Sequence, residues 1–197
     1  MMAETAALAP GYAISRVIKG GWQLAGDHGP VDRSDAVRDM EAFLDAGIVT
    51  FDCADIYTGV EEMIGDFIAD VRARRGSGVA NRVQVHTKLV PDLGLLETIR
   101  PADIEAIIDR SLQRLQIERL HLVQFYWWEL SRDDAVAALE VARRARAKGK
   151  IAHLGVTNWD VAETRAFTEA GIGLVSNQVQ YSLLDRRAEK DLAVWGA

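Results

Sequence analysis

The feature that most constrains this chain is the alternation of two hydrophobic periods. Six short runs are nearly continuous in aliphatic and aromatic residues: "RVIKGGW" from Arg16, "IVTFD" from Ile48, "VQVHTK" from Val83, "LHLVQFYW" from Leu120, "IAHLGV" from Ile151 and "LVSNQV" from Leu174. Strands covered on both faces read this way. Between them, apolar residues recur at helical spacing: Val37, Met40, Phe43 and Leu44; Met63, Ile64, Phe67, Ile68 and Val71; Ile104, Ile107, Ile108, Leu112 and Leu115; Val136, Leu139 and Ala142. Each set predicts a crossover helix with one buried face. The punctuation agrees: Pro101 opens the third helix, Ser131 with Asp134 starts the fourth, and Gly47 and Gly149 stand where helices stop. The basic run "ARRARAKGK" from Ala142 falls at a helix C-terminus, where cations complement the dipole.

Strand and helix in strict alternation mean a parallel α/β fold, either an open doubly wound sheet or a barrel. No GxGxxG follows the first strand, which disfavours a dinucleotide-binding Rossmann core but leaves open a nicotinamide held in another way. Twenty-three basic against 29 acidic residues give a net charge of -6. That balance argues against a nucleic acid or an anionic membrane as partner and favours a small substrate. The one cysteine, Cys53, cannot close an internal disulfide and reads as a packing residue. The start "MMAETAALAPGY" lacks the basic and apolar regions of a signal peptide, and the longest uncharged run, residues 170 to 184, is broken by polar residues. A cytoplasmic protein is the expectation.

In parallel α/β folds the chemistry sits at the carboxyl ends of the strands. The second strand ends "FDCADIYTG", placing Asp52 at its terminus and Tyr57 in the loop; the third ends "VHTKLV", placing Lys88 on the same rim. A lysine there reads as a Schiff-base nucleophile, as a cation that perturbs its neighbours, or simply as a rim salt bridge. Taken together the three form a plausible proton donor with its tuning apparatus. A nearby ammonium favours the phenolate and is expected to lower the tyrosine pKa, while the carboxylate keeps the lysine charged and aimed. The fourth strand delivers Tyr126, Trp127 and Trp128 to the rim, so these aromatics read as pocket wall, with Tyr126 facing the substrate. One tryptophan is expected at the mouth and the other under the following loop. His28, His86, His121 and His153 read as structural histidines.

In order, spacing and context, "FDCADIY", "HTK", "GKIAHLGVTNWD" and "VSNQVQYSLLDRR" resemble the aldo/keto reductases across nearly the whole chain. The resemblance implies a (β/α)8 TIM barrel that reduces an aldehyde or ketone with NADPH and involves no metal. It implies that Asp52, Tyr57 and Lys88 are three members of the family's catalytic tetrad. It places Thr157, Asn158 and Gln178 on the carboxamide of the nicotinamide, with Gly21, Trp22, Gln23 and Asp52 also beside the cofactor. Hydroxyl and amide side chains suit a neutral carboxamide, although Asn158 could instead cap the next helix and Thr157 and Gln178 could be satisfied rim polars.

Two departures stand out. Tyr126 occupies the position of the tetrad's histidine, and its larger ring projects a hydroxyl donor further into the pocket. The chain also supplies about six βα units where a complete barrel has eight strands in about 250 residues, reaching "DLAVWGA" as a sixth helix would begin. The expectation is therefore a single domain over residues 1–197, incomplete at its C-terminus, with weak NADPH affinity and possible self-association through unclosed barrel edges. A non-catalytic or regulatory relative, or a Schiff-base lyase using Lys88, are the alternatives.

Overall fold

The computed structural model describes residues 3–26, 29–128, 132–190 and 192. His28, Ser131 and most of "DLAVWGA" lie outside the described residues.

The chain opens with an antiparallel hairpin, β1 (Thr5–Ala9) and β2 (Tyr12–Ser15), which sequence reasoning did not anticipate. Pro10 and Gly11 were its signal, because proline at the first and a positive-φ glycine at the second central position favour a tight turn; Gly11 has φ 73°. The elements that follow are β3 (Lys19–Gly20), α1 (Arg33–Asp45), β4 (Thr50–Asp52), α2 (Val60–Arg75), the short α3 (Ser77–Ala80) and β5 (Gln84–Leu89). They continue as α4 (Pro101–Leu115), β6 (Leu120–Phe125), α5 (Arg132–Ala147), β7 (Ile151–Thr157), α6 (Val161–Glu169) and β8 (Leu174–Gln178). Short stretches of 3-10 helix lie at Trp22–Ala25, Leu93–Thr98 and Arg187–Glu189.

All six expected strands form, in the order β3-β4-β5-β6-β7-β8 and all parallel. The first is shorter than its apolar run: Val17 is exposed and pairing begins only at Lys19. Helix boundaries follow local chemistry. Asp32 caps α1 by accepting the Asp35 N–H at 2.9 Å, and Pro101 begins α4, where no intrahelical N–H partner is needed. Gly47 and Gly149, with φ 87° and 82°, follow α1 and α5 as the sequence implied.

The buried faces of α1, α2 and α4 contribute Met40, Leu44, Phe67, Ile68, Ile104, Ile108 and Leu115 to the core, with Phe67 at 5.4 Å from Phe51 of β4. Each such side chain contributes about 1.5–3 kcal/mol by leaving water. Where α2 crosses α4, Gly65 lies so close that a Cβ would meet the Arg114 carbonyl at 2.3 Å. The sheet is curled. Asp52 of the second strand and Gln178 of the sixth share a hydrogen bond across its interior, a contact that a flat sheet would not permit.

The hairpin closes the amino-terminal end of this half-barrel. Ser15 and Thr50 exchange two hydrogen bonds of 3.1 Å, Gln84 donates to the Ala13 carbonyl at 2.8 Å, and the Tyr12 hydroxyl lies 2.9 Å from His86 Nε2. The Tyr12 ring stacks on His153 at 4.4 Å. His121 Nδ1 accepts the Val85 N–H at 3.2 Å. Burial pushes His86 down to about 3 and His121 down to about 4. His86, two residues before Lys88 on β5, and His153 are built into this closure, whereas His121 lines a separate pocket with Gln116 and Arg119.

Candidate active site

Asp52, Lys88 and Gln124 project from β4, β5 and β6 toward the interior near the carboxyl rim, one from each of three adjacent strands. Lys88 Nζ donates to Asp52 Oδ2 at 2.5 Å and to the Cys53 carbonyl at 3.1 Å. Both side chains are nearly enclosed, 9% and 13% exposed, so water screens the pair little. The other oxygen, Asp52 Oδ1, accepts amide N–H groups from Gln124 at 3.1 Å and Gln178 at 3.3 Å. One carboxylate thus carries a cation on one side and two amides on the other.

Tyr57 hangs over this pair from the β4–α2 loop, with the Lys88 ammonium 5.6 Å from its ring centroid. The expected lowering of the tyrosine is not what results. Burial pushes the Tyr57 phenol upward, and the negative charge of Asp52 adds to that effect. The physical reason is burial first: a phenolate in this half-buried place would lose hydration, and the neighbouring Asp52 carboxylate repels it further. The surroundings thus disfavour the phenolate of Tyr57 instead of favouring it.

Gly21 fits the close packing of the loop after β3. Its N–H donates to the Asp52 carbonyl at 2.8 Å, and a Cβ there would meet that carbonyl and Val60 Cγ1, each at 2.8 Å. Trp22 and Gln23 follow it, both exposed on the rim. Tyr126 begins the loop after β6; its N–H donates to the Leu89 carbonyl at 3.1 Å and its half-buried ring meets Trp128 edge-on at 5.1 Å. Among the described residues no hydrogen bond joins its hydroxyl to the Asp52–Lys88 pair. Trp128 is 43% exposed and donates to the Pro91 carbonyl at 2.8 Å. Trp127 is core, stacked on Phe125 at 5.1 Å.

Thr157, Asn158 and Gln178 meet where β7 and β8 end. Thr157 pairs with Gln178 in register, and the Asn158 N–H donates to the Gln178 carbonyl at 2.9 Å. Asn158 takes a left-handed conformation, φ 61°, which asparagine tolerates better than most residues. It does not cap the following helix: Asp160 does, in a capping box with Glu163. The Thr157 hydroxyl is buried with no hydrogen-bond partner among the described residues, so a polar group is held ready at this corner.

Sequence reasoning passed over Gln124, although an amide in the middle of "LHLVQF" was a visible signal. It also passed over a buried polar group behind the site. Glu61 accepts from Thr87 at 2.7 Å and from Arg114 at 3.4 Å, and Arg114 also donates to the Asp55 carbonyl at 2.9 Å. Burial pushes the Cys53 thiol up, which agrees with a packing role.

A model of the aldo/keto reductase family matches residues 16–194. A 6-dehydroglucose reductase of Novosphingobium aromaticivorans is 32% identical over 185 residues, covering 88% of this chain and 58% of that protein. An aldo-keto reductase of Mycobacterium sp. is 30% identical over 194 residues, covering 98% and 64%. An aldo-keto reductase from Klebsiella pneumoniae, solved in complex with NADPH, superposes with a TM-score of 0.77 at 27% identity, covering 99% of this chain and 64% of that one. The chain thus spans 58 to 64% of the length of these relatives, and its curled six-stranded sheet corresponds to that part of their barrel. With that match over residues 16–194 and this parallel α/β half-barrel, the chain belongs to the aldo/keto reductase family.

Proposed function

We propose that this chain carries the proton-delivering half of an NADPH-dependent carbonyl reductase acting on a small aldehyde or ketone. The observation that carries the reading is the enclosed Lys88–Asp52 ion pair at 2.5 Å beside the Tyr57 ring. When bound, NADPH supplies a hydride to the carbonyl carbon. Tyr57 donates its phenolic proton to the oxygen as negative charge develops there, and the Lys88 ammonium, held by Asp52, lies 5.6 Å from the centre of the ring that bears the phenolate left behind. Asp52 keeps Lys88 charged and aimed, and Gln124 keeps Asp52 in place. Tyr126 offers a hydroxyl to the substrate oxygen from the end of β6.

Three side chains fit the carboxamide of the cofactor. The unpartnered Thr157 hydroxyl and the exposed Asn158 amide supply a donor and an acceptor, and Gln178 can exchange its bond to Asp52 for one to the carboxamide. A cavity of about 410 Å³ adjoins Asn158, lined in part by Gln180 and Arg187. The same reading takes the protein as cytoplasmic and as a single reductase domain, with β3 and β8 available at the sheet edges for self-association.

The test is NADPH consumption by the purified chain over a panel of small aldehydes and ketones. Tyr57→Phe should lower turnover about 100-fold or more, the scale of a lost general acid; undiminished turnover would overturn the assignment. Binding of NADPH with no reduction of any panel member would favour a regulatory relative. A Schiff-base role for Lys88 is disfavoured because its Nζ is committed to a carboxylate and a carbonyl, and borohydride trapping of a carbonyl compound on Lys88 would reverse that judgement.

A further inference from the structure

Asp55 stands two residues before Tyr57 and takes no part in the chemistry above. Its side chain is 1% exposed. The parallel pairing with β5 continues past the end of β4, with the Cys53 N–H on the His86 carbonyl at 2.8 Å and the Asp55 N–H on the Lys88 carbonyl at 3.0 Å. The next rung would place the Val90 N–H on the Asp55 carbonyl. Instead, Asp55 Oδ1 accepts the Val90 N–H at 2.9 Å, and the freed Asp55 carbonyl accepts from Arg114 at 2.9 Å.

A side-chain oxygen has therefore replaced a backbone oxygen in the ladder. The replacement lets the chain leave the sheet at Asp55 while remaining tied to it. It then closes a tight turn, with the Tyr57 N–H on the Ala54 carbonyl at 3.0 Å. Val90 lies two residues beyond Lys88, so one carboxylate fastens the loop that bears Tyr57 to the strand that bears Lys88. Its other oxygen faces Arg110 of α4 at 3.5 Å. Glu61 of α2 and Arg114 of α4 are the other charged groups acting on it. A cavity of about 520 Å³, lined in part by Ile56, Val90, Asp92 and Arg110, opens on this joint, so the neighbouring surface leaves the loop room to shift if the tie is cut.

We propose that Asp55 is a positioning residue: by standing in for the missing ladder rung, it fixes where Tyr57 sits relative to Lys88. The proposal rests on the reading of Tyr57 as proton donor. It predicts that the acceptor oxygen matters more than the charge. Asp55→Asn keeps an oxygen for the Val90 N–H, and Asp55→Ala does not.

The test labels the full chain with 3-fluorotyrosine and assigns the Tyr57 resonance by its loss in Tyr57→Phe. In Asp55→Ala the Tyr57 resonance should shift and broaden while that of Tyr12, at the opposite end, stays in place; Asp55→Asn should restore the native position. In turnover, Asp55→Ala should lower kcat about 10-fold or more with KM little changed, the signature of a misplaced catalytic group, and Asp55→Asn should recover most of it. A native Tyr57 resonance in folded Asp55→Ala, or identical behaviour of the Ala and Asn variants, would overturn the proposal. Should Asp55→Ala not fold, Asp55→Glu keeps the charge but displaces the oxygen by one methylene, and a native Tyr57 resonance there would be equally fatal. Absence of turnover in the unmodified chain would count against the proposed function, whereas the fluorine signal tests the positioning role independently.

Discussion

Gln178 donates its side-chain amide to Asp52 Oδ1 at 3.3 Å, joining two residues 126 positions apart in the chain. That bond spans the mouth of the curled sheet from β8 to β4 and links the corner of Thr157 and Asn158 to the Lys88 ion pair. A group that took the Gln178 amide away would leave Asp52 to Gln124 and Lys88 alone. Occupation of the Thr157 corner and the pull on Lys88 are thereby coupled through a single carboxylate.

Neutralising that carboxylate should be costly. Asp52→Asn leaves the Lys88 ammonium in an enclosed place with no counter-charge, and loss of one partner of a buried pair typically costs about 3 kcal/mol or more. Urea unfolding of the two proteins at neutral pH should show a lower midpoint for the variant with a similar slope. Equal midpoints would mean that the pair is better hydrated than its exposures of 9% and 13% imply.

Gly65→Ala is expected to destabilise the chain although alanine is the better helix former. The new Cβ would lie 2.3 Å from the Arg114 carbonyl, a backbone atom of α4 that can yield only if the helix moves. Overpacking of this kind costs about 1–3 kcal/mol, against the less than about 1 kcal/mol that alanine gains in propensity. Thermal unfolding decides it; a raised midpoint would show that the crossing of α2 and α4 is looser than described.

Two buried groups should give stability opposite dependences on pH. His86 is pushed down to about 3 when folded, whereas an exposed histidine titrates near 6.5. Below about pH 6.5 the unfolded chain therefore binds the additional proton, and stability falls as pH is lowered toward 3, with a slope near 1.4 kcal/mol per pH unit for one proton. His86→Gln should be weaker at neutral pH but lose less on acidification. The check is urea unfolding in steps from pH 7 to pH 4.

Asp55 works in the other direction. Burial raises its carboxyl to about 7 in the folded chain, so the folded state holds a proton that the unfolded state has released above about pH 4. Its contribution is fully present below that pH and is lost as pH rises through 7. Relative to Asp55→Asn, the unmodified chain should therefore lose thermal stability between pH 5 and pH 8, and parallel curves would refute the shift. Because the His86 and Asp55 effects overlap, only the paired variants separate them.

The strand count, the parallel order and the rim positions of Asp52, Tyr57 and Lys88 were legible because they depend on local periodicity and on where a periodic run stops. The hairpin of β1 and β2 was missed because "TAALAPGYAIS" has little apolar contrast; its partners, Thr50, His86 and His153, lie far along the chain. Asp55 and Gln124 were passed over for a related reason. Each is an ordinary polar residue in sequence, and each becomes significant only through the N–H group or carboxylate that the fold brings to it. The direction of the Tyr57 shift could not be read from residue types, since it depends first on how far the fold buries the ring and then on how near it brings Asp52.

The closure at the amino-terminal end bears on the order of assembly. Tyr12 stacks on His153, so this floor cannot be completed until some 140 further residues have been synthesised, as the span between those two positions requires. The hairpin gains its first partners when β4 and β5 arrive, through Thr50, Gln84 and His86, and only the stack on His153, which closes the longest of these loops, waits for β7. The floor of the half-barrel is thus laid in two stages, with the His153 stack as the second.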